Sequence, residues 1–163
     1  MRGRLIFKFL AEVKRVDTSS IQSSGDYDSD FREVKKVDTD SDGIGETKIQ
    51  YHTADLIPCQ VEPSSWEAVR RHSLGSDPDV EVILIFHFRD LERMSLVDSN
   101  GVALIHEGDK LVSIKDKFGT QVEVVRDPPG LYVAEATPVS FGLNMAHPHR
   151  NLLEVTFKSR GIG

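Results

Sequence analysis

The stretch VILIFHFRDLE, which runs from Val82 to Glu92, decides the fold class of this chain. Apolar residues alternate along it, and both faces of the period-two pattern carry branched or aromatic side chains. Such alternation is typical of a β-strand, and apolar side chains on both faces predict a central strand that is covered on both sides. We therefore predict a strand over residues 80–89, in which His87 is a hydrogen-bonded, sheet-facing side chain.

Short apolar segments separated by turn residues follow this strand through the rest of the chain. Turn signals recur every ~8–12 residues, at Asp98-Ser-Asn-Gly101, Glu107-Gly-Asp109, Lys117-Phe-Gly-Thr120 and Asp127-Pro-Pro-Gly130, a spacing typical of a barrel or a sandwich. The strands predicted between these turns span residues 102–105, 111–116, 121–125, 131–134 and 151–158.

Two further strands and one helix are predicted upstream. Apolar residues alternate over residues 4–16, and residues 49–61 are also strand-like. Next, Ser64-Ser-Trp-Glu67 has the spacing of a capping box, in which the Ser64 hydroxyl accepts from the Glu67 amide and the Glu67 carboxylate reaches back. This pattern predicts a short helix over residues 65–72, with Trp66 packed on the sheet.

The length of the chain indicates one domain with room for a sizeable core, since it has 163 residues. We predict a mainly β fold, a small β-barrel or sandwich with one short helix and about six to eight strands. Residues 1–163 form this single domain, and residues 17–48 form a long acidic loop or hairpin that projects from it.

Most of the negative charge lies in this N-terminal segment. The chain carries a net charge of −6, and residues 17–48 contain nine acidic against four basic residues, a balance of −5. No basic surface for gripping nucleic acid is evident. Because the segment is poor in apolar residues, we expect it to order only against a neighbouring subunit or another partner.

One motif in the acidic segment has the spacing of a cation-binding loop. Oxygen ligands at Asp38, Asp40 and Asp42, a glycine for the turn and an acid at Glu46 match a hard cation such as calcium. Ile49 stands where the closing bidentate acid of an EF-hand would be, and no helix is predicted on either side. The motif is therefore either a solvated acidic turn or a weak calcium site formed by Asp38, Asp40, Asp42 and Glu46.

Residue patterns for catalysis are lacking in the sequence. No nucleophile elbow and no glycine-rich phosphate loop with its downstream lysine is present. The single cysteine, Cys59, lies in the apolar run LIPCQV and is expected to be a buried, inert thiol. His147 and His149 flank a proline with no third ligand nearby in sequence. We expect no catalytic residues, no bound cofactor beyond calcium, and no enzyme activity.

We expect neither export nor insertion into a membrane. The N-terminal run MRGRLIFKFLAEV is interrupted by Lys8 and lacks a small-residue cleavage site, so it is not typical of a signal peptide. No stretch approaches the ~20 apolar residues that a membrane span needs.

The order of these segments resembles a known class of viral proteins. An acidic N-terminal loop leads to IPCQVEP (57–63) and a short tryptophan helix, then FHFRDLE (86–92), GDKL (108–111), PPGLYV (128–133) and RNLLEVTF (150–157). This order is similar to that of the small head-completion or neck proteins of tailed bacteriophages, the head-tail connectors and stoppers. The resemblance covers most of residues 49–158.

The resemblance implies a structural virion protein that assembles in the host cytoplasm. Members of this class form a ring of identical subunits between portal and tail, contact portal or adaptor proteins on one side and tail proteins on the other, and close or conduct the DNA channel. DNA would pass without sequence recognition, because an acidic surface repels phosphates.

Two other functions remain open from the residues alone. The loop over residues 38–46 also suits a calcium-stabilised β module for adhesion or carbohydrate binding. The second is a small β-barrel enzyme whose site is assembled from residues dispersed along the sequence.

Overall fold

Six strands of the chain close into an antiparallel β-barrel, which confirms the predicted mainly β fold. The structure is a computed structural model that describes residues 9–17, 27–28, 33–34, 50–73, 81–127, 130–139 and 152–159. The strands are β1 Phe9–Lys14, β2 Tyr27–Asp28, β3 Glu33–Val34, β4 Asp55–Val61, β5 Glu81–His87, β6 Lys110–Asp116, β7 Gln121–Val124, β8 Leu131–Val139 and β9 Leu152–Ser159. The helices are α1 Pro63–Ser73 and α2 Phe88–Arg93.

The barrel closes because β1 pairs with two strands. Hydrogen-bonded neighbours follow the order β1-β4-β5-β9-β8-β6, and β6 pairs again with β1. One edge of β6 pairs with β1, while its other edge is divided between β8 at Lys110 and Leu111 and β7 from Ser113 to Lys115. Strand β7 is therefore appended to the barrel rather than part of its closed wall.

The interior of the barrel is filled by alternate side chains of its strands. On β5, Val82, Leu84 and Phe86 are buried, while Ile83 and Ile85 point the other way and remain partly exposed. The predicted burial of both faces is thus only partial, since the second face is the outer wall of a barrel. The core also takes in the following side chains from the other elements: Ala11, Val13, Ile57, Cys59, Leu111, Ile114, Leu131, Val155 and Phe157.

Helix α1 forms as predicted but begins differently. It starts at Pro63, a residue favoured in the first helical turn because its missing N–H needs no partner there. The predicted capping box is wrong, because Ser64 lies inside the first turn of the helix and not before it. Its hydroxyl donates instead to Glu62 Oε2 at 3.4 Å. The buried Ser65 Oγ accepts from the Ile83 amide at 2.8 Å and so joins the helix to β5. As predicted, Trp66 packs on the sheet, with its ring centroid 4.7 Å from that of Phe9.

A second helix replaces the predicted end of the central strand. Strand β5 ends at His87, whose Nδ1 accepts from the Arg89 amide at 3.1 Å and caps α2. His87 is hydrogen-bonded as predicted. Phe88 and Leu91 are buried on one side of this helix. The predicted central strand is therefore present but ends at His87, two residues earlier than expected, and the described residues form two helices instead of one.

Most other predicted strands are present with shifted ends, and one is not a strand. Residues 102–105 make only an isolated bridge, between Val97 and Ala103. The Asp98 Oδ1 accepts from the amides of Asn100 and Val102, which holds this stretch in a turn. Within the acidic segment, the described residues form the short β2–β3 pair. The rest of residues 18–49 lies outside the described residues.

Candidate functional site

The hairpin β6–β7 presents the most exposed apolar side chains in the described part of the chain. Phe118 at its tip is 81% exposed, and Val122 and Val124 on β7 are 44% and 50% exposed. An aromatic side chain stabilises a folded protein mainly by burying its area, and Phe118 buries little of its own in a single copy. These three residues, named here the hairpin patch, are candidates for contact with another molecule.

The turn that carries Phe118 is held by a network of local hydrogen bonds. Asp116 Oδ1 accepts from the amides of Phe118 and Thr120, both at 2.9 Å, and the Asp116 amide donates to Thr120 O at 2.8 Å. Gly119 adopts φ +83°, which a side chain would oppose. The Lys117 Nζ lies 4.8 Å from the Phe118 ring centroid. The ring is thus presented to solvent by a well-defined turn.

The two valines of the patch lie on the outer side of the sheet. Val124 is the register partner of Ser113, which in turn pairs with Glu12 of β1 and, through it, with Leu56 of β4. Register partners in an antiparallel sheet project to the same side. Val124, Ser113, Glu12 and Leu56 therefore form one row across the sheet. The two residues at its ends, Val124 and Leu56, are both exposed and apolar.

The two middle residues of this row, Glu12 and Ser113, are polar and contact each other. Glu12 Oε2 accepts from the Ser113 hydroxyl at 2.6 Å and lies 3.4 Å from Lys115 Nζ. Ser113 is fully buried. The carboxylate, hydroxyl and ammonium therefore satisfy one another within a single copy.

On the opposite side of β7, Glu123 turns toward helix α1. Its Oε1 lies 3.4 Å from the Arg70 Nε, and α1 packs against both β5 and β7. The hairpin is therefore supported from behind by a helix and keeps its patch directed outward.

A second polar cluster surrounds the buried carboxylate of Asp109. Asp109 Oδ1 accepts from the Val16 amide and Oδ2 from the His106 amide, each at 2.8 Å. Burial raises the pKa of this carboxyl above its usual value, because desolvation outweighs the two hydrogen bonds that favour the charged form. Arg15, the residue before Val16, pairs with Asp55 at 3.0 Å.

Lys110, the residue after Asp109, is held by Asp127 and lies 5.9 Å above the Tyr132 ring centroid. Burial alone would lower the pKa of Lys110, but the hydrogen bond and charge of Asp127 raise it above its usual value. Asp127 therefore favours the charged form of Lys110.

The predicted calcium ligands Asp38, Asp40, Asp42 and Glu46 lie outside the described residues, as do His147 and His149. Within the described ranges, no group of three or more His, Cys, Asp or Glu side chains is arranged to hold a metal ion. In those same ranges, no helix is long and apolar enough to cross a bilayer. Cys59 is fully buried, as predicted.

Neither the hairpin patch nor the Asp109 cluster was recognised from the sequence. The Lys117–Thr120 turn was predicted, and a phenylalanine at the tip of a hairpin was the available signal. Asp109 stood in a predicted turn, but its partner Val16 is 93 positions away, and no local pattern reports such a contact.

Comparisons with models of protein families, with curated proteins and with solved structures found no match for this chain.

Proposed function

We propose that this protein is an assembly subunit, which forms a ring of identical copies in the neck of a tailed bacteriophage. The observation that carries the assembly role is the hairpin patch, in which Phe118, Val122 and Val124 are exposed on a hairpin whose turn is held by hydrogen bonds to Asp116. Aromatic anchors surrounded by smaller apolar residues are typical centres of protein interfaces.

A ring requires that one surface of each copy meet a different surface of the next, since a self-complementary patch gives closed dimers instead. Strand β7 is suited to such a contact because it is appended to the closed wall of the barrel through β6. We therefore assign the hairpin patch to the contact with the neighbouring copy.

The neck assignment is supported by the order of segments over residues 49–158, which resembles that of head-tail connectors and stoppers. A closed barrel that carries a strongly acidic segment suits a ring around a DNA channel, because the acidic surface repels phosphates and lets the duplex slide. In this function the ring contacts portal or adaptor proteins on one side and tail proteins on the other.

The test is the oligomeric mass of the purified protein over a range of concentrations, measured by light scattering after size exclusion. We expect the wild type to form a ring, and Phe118→Ser or Val122→Ser to shift it toward monomer. Val102→Ser is the matched control, because Val102 is 43% exposed, almost as exposed as Val122, but lies in another turn.

Two outcomes would contradict the proposal. A wild type that is monomeric at every concentration would remove the ring. An equal loss of oligomer in Val102→Ser and Val122→Ser would remove the hairpin patch from the interface.

A further inference from the structure

Two short chain segments flank the acidic segment in sequence and are hydrogen-bonded to each other. Val16 and Tyr51 form a β-bridge. On either side of it, the Asp17 amide donates to Gln50 O and the His52 amide donates to Arg15 O, both at 2.8 Å. Residues 15–17 and 50–52, named here the root, therefore form one small unit at the base of residues 18–49.

The loop that precedes β6 is a second unit. It spans residues 96–109, buries Leu96, Ala103 and Ile105 in the core, and exposes Val102 and its neighbours. Its C-terminal turn is closed by the Asp109 amide, which donates to His106 O at 3.2 Å. The Gly108 amide donates to Val133 O at 3.0 Å and ties this turn to β8.

The Asp109 carboxylate joins the two units. Its Oδ1 accepts from Val16 in the root and its Oδ2 from His106 in the loop, each at 2.8 Å. Asp109 is only 3% exposed. The Asp109 carbonyl also accepts from the Val133 amide at 2.8 Å, so the residue is fixed on the barrel by its own backbone.

This arrangement differs from the two other carboxylates that accept a pair of backbone amides in the described part of the chain. Asp98 and Asp116 each bond to amides within four positions of themselves and shape a single turn. Asp109 instead accepts from one amide that is 93 positions away, that of Val16, and from one that is three positions away, that of His106. Opening either segment leaves a buried carboxylate oxygen without its donor, which is costly.

We propose that Asp109 is a conformational clamp that joins the root of the acidic segment to the 96–109 loop, so that the hydrogen bonds of the two open together and more readily than those of the β5–β9 ladder. In the assembly proposed above, a partner that engages the acidic segment would then act on the exposed loop as well. That consequence rests on the proposed function. The clamp itself is a property of a single copy.

The test is native-state hydrogen exchange of backbone amides in Asp109→Asn, with Asp98→Asn as the matched control. The substitution keeps the size of the side chain but replaces one acceptor oxygen by a donor. We expect exchange at Val16, Asp17, His52 and His106 to rise together by about tenfold or more, relative to the β5–β9 ladder. Asp98→Asn should accelerate only Asn100 and Val102.

Acceleration confined to His106, or an equal acceleration of every amide, would overturn the clamp. If Asp109→Asn does not fold, the unmodified protein decides the question. Its Val16, Asp17, His52 and His106 amides should then share one protection factor and one denaturant dependence, both below those of the β5–β9 ladder. A difference of more than about tenfold between the root and His106 would show that they open independently.

Hydrogen exchange reports on a single folded copy. A result that contradicts the clamp therefore leaves the ring proposal untouched. Conversely, a monomeric protein with a shared opening of the root and the loop would retain the clamp and lose the ring.

Discussion

Cys59 lies in β4 with its side chain fully buried, opposite Phe9 of β1 and Phe86 of β5. Burial raises the pKa of this thiol from 9.0 to about 12, although a hydrogen bond with the Ala11 backbone acts in the opposite direction. Because the thiolate is the reactive form, the native protein should resist alkylation at pH 8. We expect labelling by a thiol reagent only after unfolding in guanidinium, and rapid labelling of the native state would contradict this burial.

The same shift predicts a dependence of stability on pH. The folded state holds the thiol proton more tightly than the unfolded chain, so the free energy of unfolding is fully retained below the unfolded pKa near 9.0 and falls as pH rises toward 12. The limiting slope is about 1.4 kcal/mol per pH unit. Thermal unfolding of wild type and Cys59→Ala between pH 8 and 10 should show a steeper loss for the wild type. Parallel curves would exclude the shift.

At the level of single residues, the burial of Cys59 could be predicted because the run LIPCQV around it is mostly apolar, which is a local pattern. The exposure of Phe118 could not, since hydrophobicity alone argues for burial of a phenylalanine. Its position at a tip fixed by Asp116 and Gly119 decides otherwise.

Helix α1 is joined to the sheet by one buried hydroxyl. Ser65 Oγ accepts from the Ile83 amide at 2.8 Å, and Ser65→Ala would leave that amide without an acceptor. We expect a loss of about 1–3 kcal/mol in the free energy of unfolding. Ser64→Ala is the control, because Ser64 is exposed and its hydroxyl is 3.4 Å from Glu62, so its effect should stay within about 0.5 kcal/mol. Equal effects in denaturant titration would contradict this role of Ser65.

We still predict weak calcium binding by residues 38–46, which lie outside the described residues. Without a closing acid, the affinity should be weak, roughly 10⁻⁴–10⁻³ M. Calcium should raise the melting temperature of the wild type slightly, and a double variant with Asp40→Ala and Asp42→Ala should abolish that rise. If calcium has no effect on the wild type, the loop is only an acidic turn.

At the level of secondary structure, the end of β5 is a place where the hydrophobic pattern does not distinguish a strand from a helix. Val82, Leu84, Phe86 and Phe88 are all buried, which fits a strand throughout. Phe88 and Leu91, three positions apart, fit a helix equally well. The change from strand to helix coincides with a local hydrogen bond from the Arg89 amide to His87 Nδ1, which caps the helix, and a hydrophobic pattern does not report such a bond.

At the scale of the whole molecule, alternation and turn spacing were enough to predict a β-barrel or sandwich, but not which of the two. Closure depends on β1 pairing with both β4 and β6. Its partners in β6 are far away along the chain, as the Glu12–Ser113 hydrogen bond across 101 positions illustrates. Such a contact leaves no signal in a single sequence.

The root of the acidic segment gives the last prediction. Because Val16 and Tyr51 are bridge partners, residues 19–48 can be replaced by a short Gly/Ser turn without stretching the barrel. We expect the shortened protein to keep its melting temperature within a few degrees, since the core residues are unchanged. In a phage that encodes it, filled heads should fail to attach tails or should leak DNA, as judged by electron microscopy and infectivity.

Normal particles from the shortened protein would remove the acidic segment from the mechanism. Virions that wholly lack the protein would overturn the neck assignment, because a ring that joins portal to tail has to remain in the finished particle.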